Sequence, residues 1–352
     1  MSTTNKLFQP IHVGDIQLQH RVVFAPATRL RTDSGYAPLP HVAEYYAQRA
    51  STPGTLVISE GTFPAPRAGG FKHTPGIWSE EQILAWKKVT EAVHAKGSYI
   101  YLQLWALGPS DVPMAGTTAP PHALRIDELK EYIQLYATAA SNAVHKADFD
   151  GVEVHSANGY FLNQFLHDRI NVRTDEYGGP SVENRARFPL EVTAAVVKAV
   201  GQKKTGFRVS PWGTFNDVYM ADPKPTYSYL ITELRDRFPE LAYLHVVEPR
   251  VDGGETVAVI KDGYSNDFIR EIWGPRPLIS AGGYTPETAL EVAEDKGNLI
   301  AFARGFIANP DLPYRLLHGI PLNRGTRALY YAPGSVDPAG YTDYPFASVQ
   351  AN

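Results

Sequence analysis

The segment His155-Ser156-Ala157-Asn158-Gly159-Tyr160 directly follows the apolar run Gly151-Val152-Glu153-Val154. It sets the hydrogen-bond donors His155, Asn158 and Tyr160 within six residues, where a buried strand should end. Strand ends are where α/β proteins concentrate their chemistry. An imidazole and a carboxamide together can grip a carbonyl oxygen, and a phenol beside them can deliver a proton. That combination fits an enzyme acting on an activated carbonyl compound. A satisfied core histidine beside an asparagine that caps the next helix would account for His155 alone. Two further donors at these offsets shift the balance toward chemistry.

Such a segment needs a scaffold that presents strand ends. Short apolar runs at 22–25, 56–59, 99–104, 151–155, 206–210, 243–247, 278–281 and 299–303 predict eight strands. Helical stretches are predicted between them at 41–50, 79–95, 125–147, 181–200, 226–238, 266–273, 286–296 and 310–318. The second of these opens on Ser79 as N-cap with Glu80 and Glu81 in its first turn, and Gly97 lies just past its end. Eight strand–helix units predict a single (β/α)8 TIM barrel spanning residues 1–352 as one domain. A doubly wound sheet is disfavoured because no Gly-x-Gly-x-x-Gly follows the first strand. Residues 11–18 read as a hairpin with Gly14 and Asp15 at its tip, placed to plug the N-terminal mouth.

In a barrel the strand ends converge on one mouth. They would bring together Pro26 to Thr28, Ser59 to Gly61, Gln103 with Trp105, His155 with Asn158, Arg208 with Ser210, His245 with Glu248, Gly282 with Gly283, and Arg304 with Gly305. This ring of amide, hydroxyl, guanidinium and imidazole groups suits a large, flat ligand with polar edges. Gly282-Gly283 and Arg304 follow strands seven and eight, where such barrels often hold a phosphate. Turn glycines and a solvated arginine explain the same residues equally well. Arg208 sits in a strand otherwise suited to burial and needs an internal carboxylate or an anionic ligand. Gln103 needs its amide satisfied by neighbours or by a ligand edge. Trp105 and Tyr341 are candidates for lining a planar substrate slot. The 11 histidines show no metal-ligand spacing, and no Gly-x-Ser-x-Gly elbow points to a hydrolase.

Composition narrows the classes further. There is no cysteine, which excludes disulfides, thiolate-held metals and cysteine nucleophiles. A formal net charge of −4 gives no electrostatic case for nucleic acid or an anionic membrane. No apolar run approaches the length of a signal peptide core or a membrane span, so a cytoplasmic location is expected.

The chain resembles the Old Yellow Enzyme family of flavin-dependent ene-reductases, particularly its fungal members, over nearly its whole length. The resemblance is carried by Phe24-Ala25-Pro26-Ala27-Thr28-Arg29, Ser59-Glu60-Gly61 and Gln103-Leu104-Trp105. It is densest from Asp150 to Tyr160 and continues through Arg173-Thr174-Asp175-Glu176-Tyr177-Gly178-Gly179 and Glu183-Asn184-Arg185. It implies a non-covalent FMN across the barrel mouth, reduced by NADPH or NADH, and the activity of an NADPH dehydrogenase. It further implies that Thr28 tunes the flavin, and that Gln103 and Arg208 meet its pyrimidine edge. By the same resemblance Pro26, Ala27 and Gly61 pack on the ring, and Gly282, Gly283, Arg304 and Gly305 hold the phosphate. His155 and Asn158 would bind the carbonyl oxygen of an α,β-unsaturated aldehyde or ketone, and Tyr160 would protonate its α-carbon. The implied assembly is a monomer or homodimer.

One departure from the family pattern follows Trp105-Ala106-Leu107-Gly108. Only the Pro- and Gly-punctuated stretch 109–123 bridges to the third helix, where relatives carry a longer excursion over the site. A shortened loop after strand three is therefore expected to reshape substrate range. A second departure is Gly283, where some relatives place an Asn. These features leave two further readings: a reductase or isomerase of fungal secondary metabolism dedicated to one bulky carbonyl compound, and a flavin-binding protein without productive catalysis. The intact His155, Asn158 and Tyr160 speak against the last.

Overall fold

The computed structural model describes residues 4–107 and 123–347. The expected short loop at 109–123 falls, but for Ala123, outside the described residues. Eight parallel strands close into a barrel: β1 Val22–Phe24, β2 Leu56–Ile58, β3 Tyr99–Leu104, β4 Gly151–Ser156, β5 Thr205–Val209, β6 Tyr243–Val247, β7 Leu278–Ala281 and β8 Leu299–Phe302. Every predicted strand is present to within one residue at each end. The barrel closes where β8 pairs with β1, Phe302 lying opposite Phe24.

Side-chain alternation along these strands builds two cores rather than one. Val22, Phe24, Val57, Leu102, Val152, Val154, Phe207 and Leu244 face outward and pack with the helices. Val23, Leu56, Ile58, Tyr101, Tyr243, Ile279 and Leu299 face inward and form a separate interior cluster. The period of two is why runs that read as uniformly apolar can serve both sides. The lower interior is filled by the Tyr101 and Tyr243 rings, 5.5 Å apart. A Cβ at Gly151 would lie 2.5 Å from the Tyr101 ring, and one at Gly206 would lie 2.3 Å from that of Tyr243. The two glycines are therefore the space these aromatics occupy.

The N-terminal hairpin pairs Ile11–Val13 with Ile16–Leu18, Val13 opposite Ile16. Val13, Ile16 and Leu18 belong to the interior cluster. A Cβ at Gly14, whose φ is +56°, would collide with the Lys203 carbonyl before β5. The hairpin thus seals the bottom of the barrel, leaving the top open.

The helices lie where expected, with ends shifted by one or two residues in most cases. The helix Glu80–His94 opens with Ser79 as N-cap, as read from the sequence, and Gln82 completes a capping box: Ser79 Oγ accepts from the Gln82 N–H, and Gln82 Oε1 accepts from the Ser79 N–H. Besides short 3-10 turns, the described residues hold small elements that the sequence does not predict: the helix Phe161–Leu166 right after Tyr160, the helix Arg304–Ala308, and a hairpin of Val251–Asp252 with Glu255–Thr256. Each is shorter than two helical turns or three paired residues, too short for periodicity to register. Among the described residues, no helix is long and apolar enough to cross a membrane.

Candidate active site

A cavity of about 740 Å³ opens at the C-terminal ends of the strands. That volume lies in the range typical of cofactor and small-molecule sites. Pro26, Ala27, Thr28, Gly61, Gln103, Trp105, His155, Asn158, Tyr160, Arg208, Gly282, Gly283, Arg304 and Gly305 all line it. Residues spread over 280 positions of sequence meet there because barrel closure brings all eight strand ends to one rim.

His155 is the last inward residue of β4 and is 5% exposed. Burial, reinforced by the Arg208 charge, holds its imidazole at about 3, so it is neutral at physiological pH and still has one N–H to donate. Its Nδ1 has no hydrogen-bond partner among the described residues. The chain then turns sharply, with Asn158 at φ +58° and Gly159 at +70°. A Cβ on Gly159 would lie 2.3 Å from the Phe215 carbonyl, so only glycine lets the β5 loop press against this turn. Asn158 does not cap the following helix: Tyr160 is the N-cap residue there, and no side-chain cap bond forms. Instead the Asn158 N–H donates to Ser210 Oγ at 2.7 Å, and its carbonyl accepts from Asn216 Nδ2 at 2.9 Å. Tyr160 packs edge-on against Trp105 with ring centroids 4.9 Å apart, and lies 5.7 Å from His155. Burial raises its phenol above the usual value, and a hydrogen bond with Asn216 partly opposes this.

Gln103 and Arg208 reach the cavity from β3 and β5. Beneath them lies Glu153, fully buried in β4. It accepts from Gln103 Nε2 at 2.8 Å, and its other oxygen bonds His245 Nδ1 at 2.8 Å. The Arg208 Nε is buried without a hydrogen-bond partner among the described residues, although Glu153 acts on its charge. Both readings of Arg208 therefore hold in part: it faces an internal carboxylate and also presents an unsatisfied donor.

The opposite end of the cavity carries glycines and arginines. Gly282 has φ +130° and Gly283 φ +63°, and a Cβ at Gly282 would meet Val251 at 2.9 Å. Arg304, exposed at the start of its short helix, donates to Thr256 Oγ1 at 2.9 Å. The Val251–Thr256 hairpin continues from there. Its Asp252 accepts from the N–H groups of Thr214 and Phe215, both at 2.8 Å, and so fixes the loop that carries Asn216.

Some expected residues lie elsewhere. Tyr341 does not line the cavity: it is fully buried and stacks on Tyr45 at 4.0 Å, with Arg29 and Arg31 over its ring. The C-terminal segment does reach the mouth, but through Tyr330 and Tyr331. His245 sits below the mouth against Glu153, and Glu248 turns to Arg270, Asn266 and Ser280. Ser59 and Ser210 are spent on internal hydrogen bonds. Missed were Glu153, Asn216, Phe215 and the two tyrosines. Glu153 was legible as a charge inside a buried strand; Asn216 lies in an irregular loop whose sequence carries no such signal.

Burial of several titratable groups sets the acid limit of stability. Burial lowers His20, His155 and His167 to about 4, 3 and 4. Their folded-state values lie below the unfolded value, so the unfolded chain binds more protons below pH 6.5 and stability falls as pH drops. Glu60, raised by burial to about 7, acts in the opposite sense and offsets about one of the three. The ligand-free protein is expected to lose several kcal/mol between pH 6.5 and 5, at about 1.4 kcal/mol per net proton and pH unit. A urea midpoint that stays flat or rises over that interval would contradict this.

The cavity thus combines unpartnered buried nitrogens at Arg208 and His155, a glycine cradle with an adjacent arginine, and a proton donor over its centre. That set fits a flat, polar-edged group bearing a phosphate, as FMN is. Residues 6–323 match the model of the NADH:flavin oxidoreductase / NADH oxidase family, an FMN family. The chain is 47% identical to a chanoclavine-I aldehyde reductase of Penicillium roqueforti over 365 residues, covering 97% of both proteins. It is 44% identical to a protein of Epichloe festucae var. lolii named "Probable inactive reductase", covering 99% of this chain and 96% of that one. Among solved structures it resembles morphinone reductase in complex with tetrahydroNAD (TM-score 0.88, 39% identity, 98% and 99% coverage). It also resembles Old Yellow Enzyme from Pichia sp. (TM-score 0.89, 36% identity, 98% and 94% coverage). The chain belongs to this family of FMN-dependent oxidoreductases, the Old Yellow Enzyme family.

Proposed function

We propose that the protein is an NAD(P)H-oxidising ene-reductase that saturates the C=C bond of α,β-unsaturated aldehydes or ketones. The observation that carries this reading is the convergence of His155, Asn158 and Tyr160 over one cavity whose floor is Gln103 and Arg208. The whole chain would act as one FMN-binding unit. Gln103 and Arg208 would hold the pyrimidine edge, Thr28 and the Pro26-Ala27 backbone one flank of the ring, and Gly282, Gly283, Arg304 and Gly305 the phosphate. When bound, FMN supplies the hydride that it has taken from a nicotinamide.

The protein's own residues then do three things. His155 and Asn158 donate to the substrate carbonyl oxygen and stabilise the negative charge that gathers there as the β-carbon accepts hydride. The neutral state of His155 suits this, since a second positive charge beside Arg208 would be unfavourable. Tyr160 transfers its phenolic proton to the α-carbon, completing the addition of one hydride and one proton across the double bond. Trp105, stacked between Phe63 and Phe71, walls the substrate side.

Purified protein should be yellow, bleach with NADPH or NADH, and regain its colour with an enone or maleimide. Protein that stays colourless in excess FMN would refute the reading, and comparing the two nicotinamides sets the preference. A dedicated role on one bulky carbonyl compound is favoured by a specific observation: large aromatics stand half-open around the mouth, with Phe71 49%, Phe215 40% and Tyr331 54% exposed. Such a rim offers stacking area to an extended planar substrate. Slow turnover of small enones beside tight binding of a polycyclic aldehyde would support it, and broad activity on small enones would not.

A further inference from the structure

Glu153 is a full negative charge in the interior of the barrel, at 0% exposure, and no part of the reaction just described uses it. A carboxylate in that position is costly unless several partners hold it. Its partners are specific. Gln103 lies opposite it in the β3–β4 register, and the amide Nε2 donates to Glu153 Oε1 at 2.8 Å. His245 from β6 meets Oε2 at 2.8 Å, its other nitrogen unpartnered among the described residues. Arg208, opposite both His155 and His245 in register, feels the Glu153 charge without a direct hydrogen bond to it.

Two consequences follow from this geometry. One amide N–H of Gln103 is consumed by Glu153, so the orientation of the carboxamide is fixed. Its carbonyl oxygen and second N–H remain for the cavity, an acceptor beside a donor. The second consequence is electrostatic. The positive end that Arg208 shows to the cavity is tempered by a negative charge one layer below, where little solvent screens it. Hydrogen bonds from His245 and Gln103 and the charge of Arg208 outweigh burial and hold the Glu153 carboxyl below its ordinary value, while burial lowers the His245 imidazole. The carboxylate is therefore ionised and faces the guanidinium as its counter-charge.

We infer that Glu153 is a positioning residue for the cofactor edge: it orients Gln103 and, as a buried counter-ion to Arg208, sets the electrostatic potential at the floor of the cavity. This rests on the reading that FMN occupies the site with its pyrimidine edge toward Gln103 and Arg208. A reduced flavin is more negative than an oxidised one. Removing the Glu153 charge leaves Arg208 uncompensated and should favour the reduced state.

The test is the midpoint potential of bound FMN, measured by dye equilibration on the parent, Glu153→Gln and Glu153→Asp. Glu153→Gln is expected to raise the reduced-to-oxidised ratio at fixed ambient potential about tenfold, which is about 30 mV for a two-electron couple. Glu153→Asp keeps the charge but shortens its reach. It should hold the potential near that of the parent while weakening FMN binding several-fold, because Gln103 is released. A purely structural role would change stability and leave the potential where it was. A parental potential in FMN-loaded Glu153→Gln overturns the inference. Should that variant fail to load, Glu153→Asp with parental FMN affinity overturns it alone. A parent chain that takes up no FMN defeats the underlying reading instead, so the two failures are separable.

Discussion

Replacing Tyr160 by Phe is expected to slow reoxidation by an enone about 10²–10⁴-fold, the usual value of a positioned general acid. Reduction by NADPH should continue at the parental rate, because no proton from Tyr160 enters that half-reaction. The structure makes this substitution a clean probe. Trp105 meets the Tyr160 ring edge-on, with an interplanar angle of 82°, and a phenylalanine ring preserves that contact. What is lost is the hydroxyl and its bond with Asn216. Burial keeps the phenol protonated above its ordinary pKa, so at neutral pH the side chain is loaded with the proton it delivers. Stopped-flow traces of each half-reaction decide the matter: equal slowing of both would remove Tyr160 from the role of acid.

Arg29→Ala should cost about 3 kcal/mol or more of stability, the largest loss expected from a single side chain away from the cavity. Arg29 is fully buried. Its Nε donates to the Tyr330 carbonyl at 2.9 Å, Nη1 to the Tyr45 hydroxyl at 2.7 Å, and Nη2 to the Gly340 carbonyl. Truncation strands these acceptors in a site that water reaches poorly. Arg31 and Arg49 bind further carbonyls of the same C-terminal segment, at Ser335, Asp337 and Tyr341. Together the three arginines fasten that segment so that Tyr330 and Tyr331 stand at the mouth. Arg29→Lys, with its charge but without the planar fork, should recover only part of the loss. Urea unfolding of the three proteins measures this. A midpoint for Arg29→Ala within error of the parent would show that the segment is held without Arg29. Loosening it should also alter substrate binding before it alters reduction by NADPH, since Tyr330 and Tyr331 of this segment line the cavity.

These two sites differ in how far the sequence exposed them. His155, Asn158 and Tyr160 could be read as a unit because they are contiguous, follow a recognisable strand, and are of types that share one chemistry. The pairing of Gly282-Gly283 with Arg304 was legible for a similar reason: each follows a strand whose number in the barrel could be counted. Arg29 was visible only as part of a family motif, and nothing in its neighbours showed that it grips a segment 300 residues away. Tyr341 illustrates the converse. Its aromatic type and its C-terminal position suited a substrate slot, but two buried arginines, Arg29 and Arg31, lie over its ring and hold it in the interior.

The sequence by itself determined the barrel, its hairpin plug, and those groups around the mouth that follow a strand end. It could do so because strand and helix periodicity, turn glycines and caps are local signals that repeat eight times. Only the tertiary structure decided which polar side chains face the cavity and which face each other. His245, Glu248, Ser59 and Ser210 all stand at or near strand ends, yet each spends hydrogen bonds on other groups of the protein. Whether a strand-end residue meets ligand or protein depends on its height in the barrel and on which neighbour reaches it first. Both are set by the stagger of strands that are distant in sequence. That is why Glu153, one residue inside a familiar motif, shows its part only when β3, β4 and β6 are closed around it.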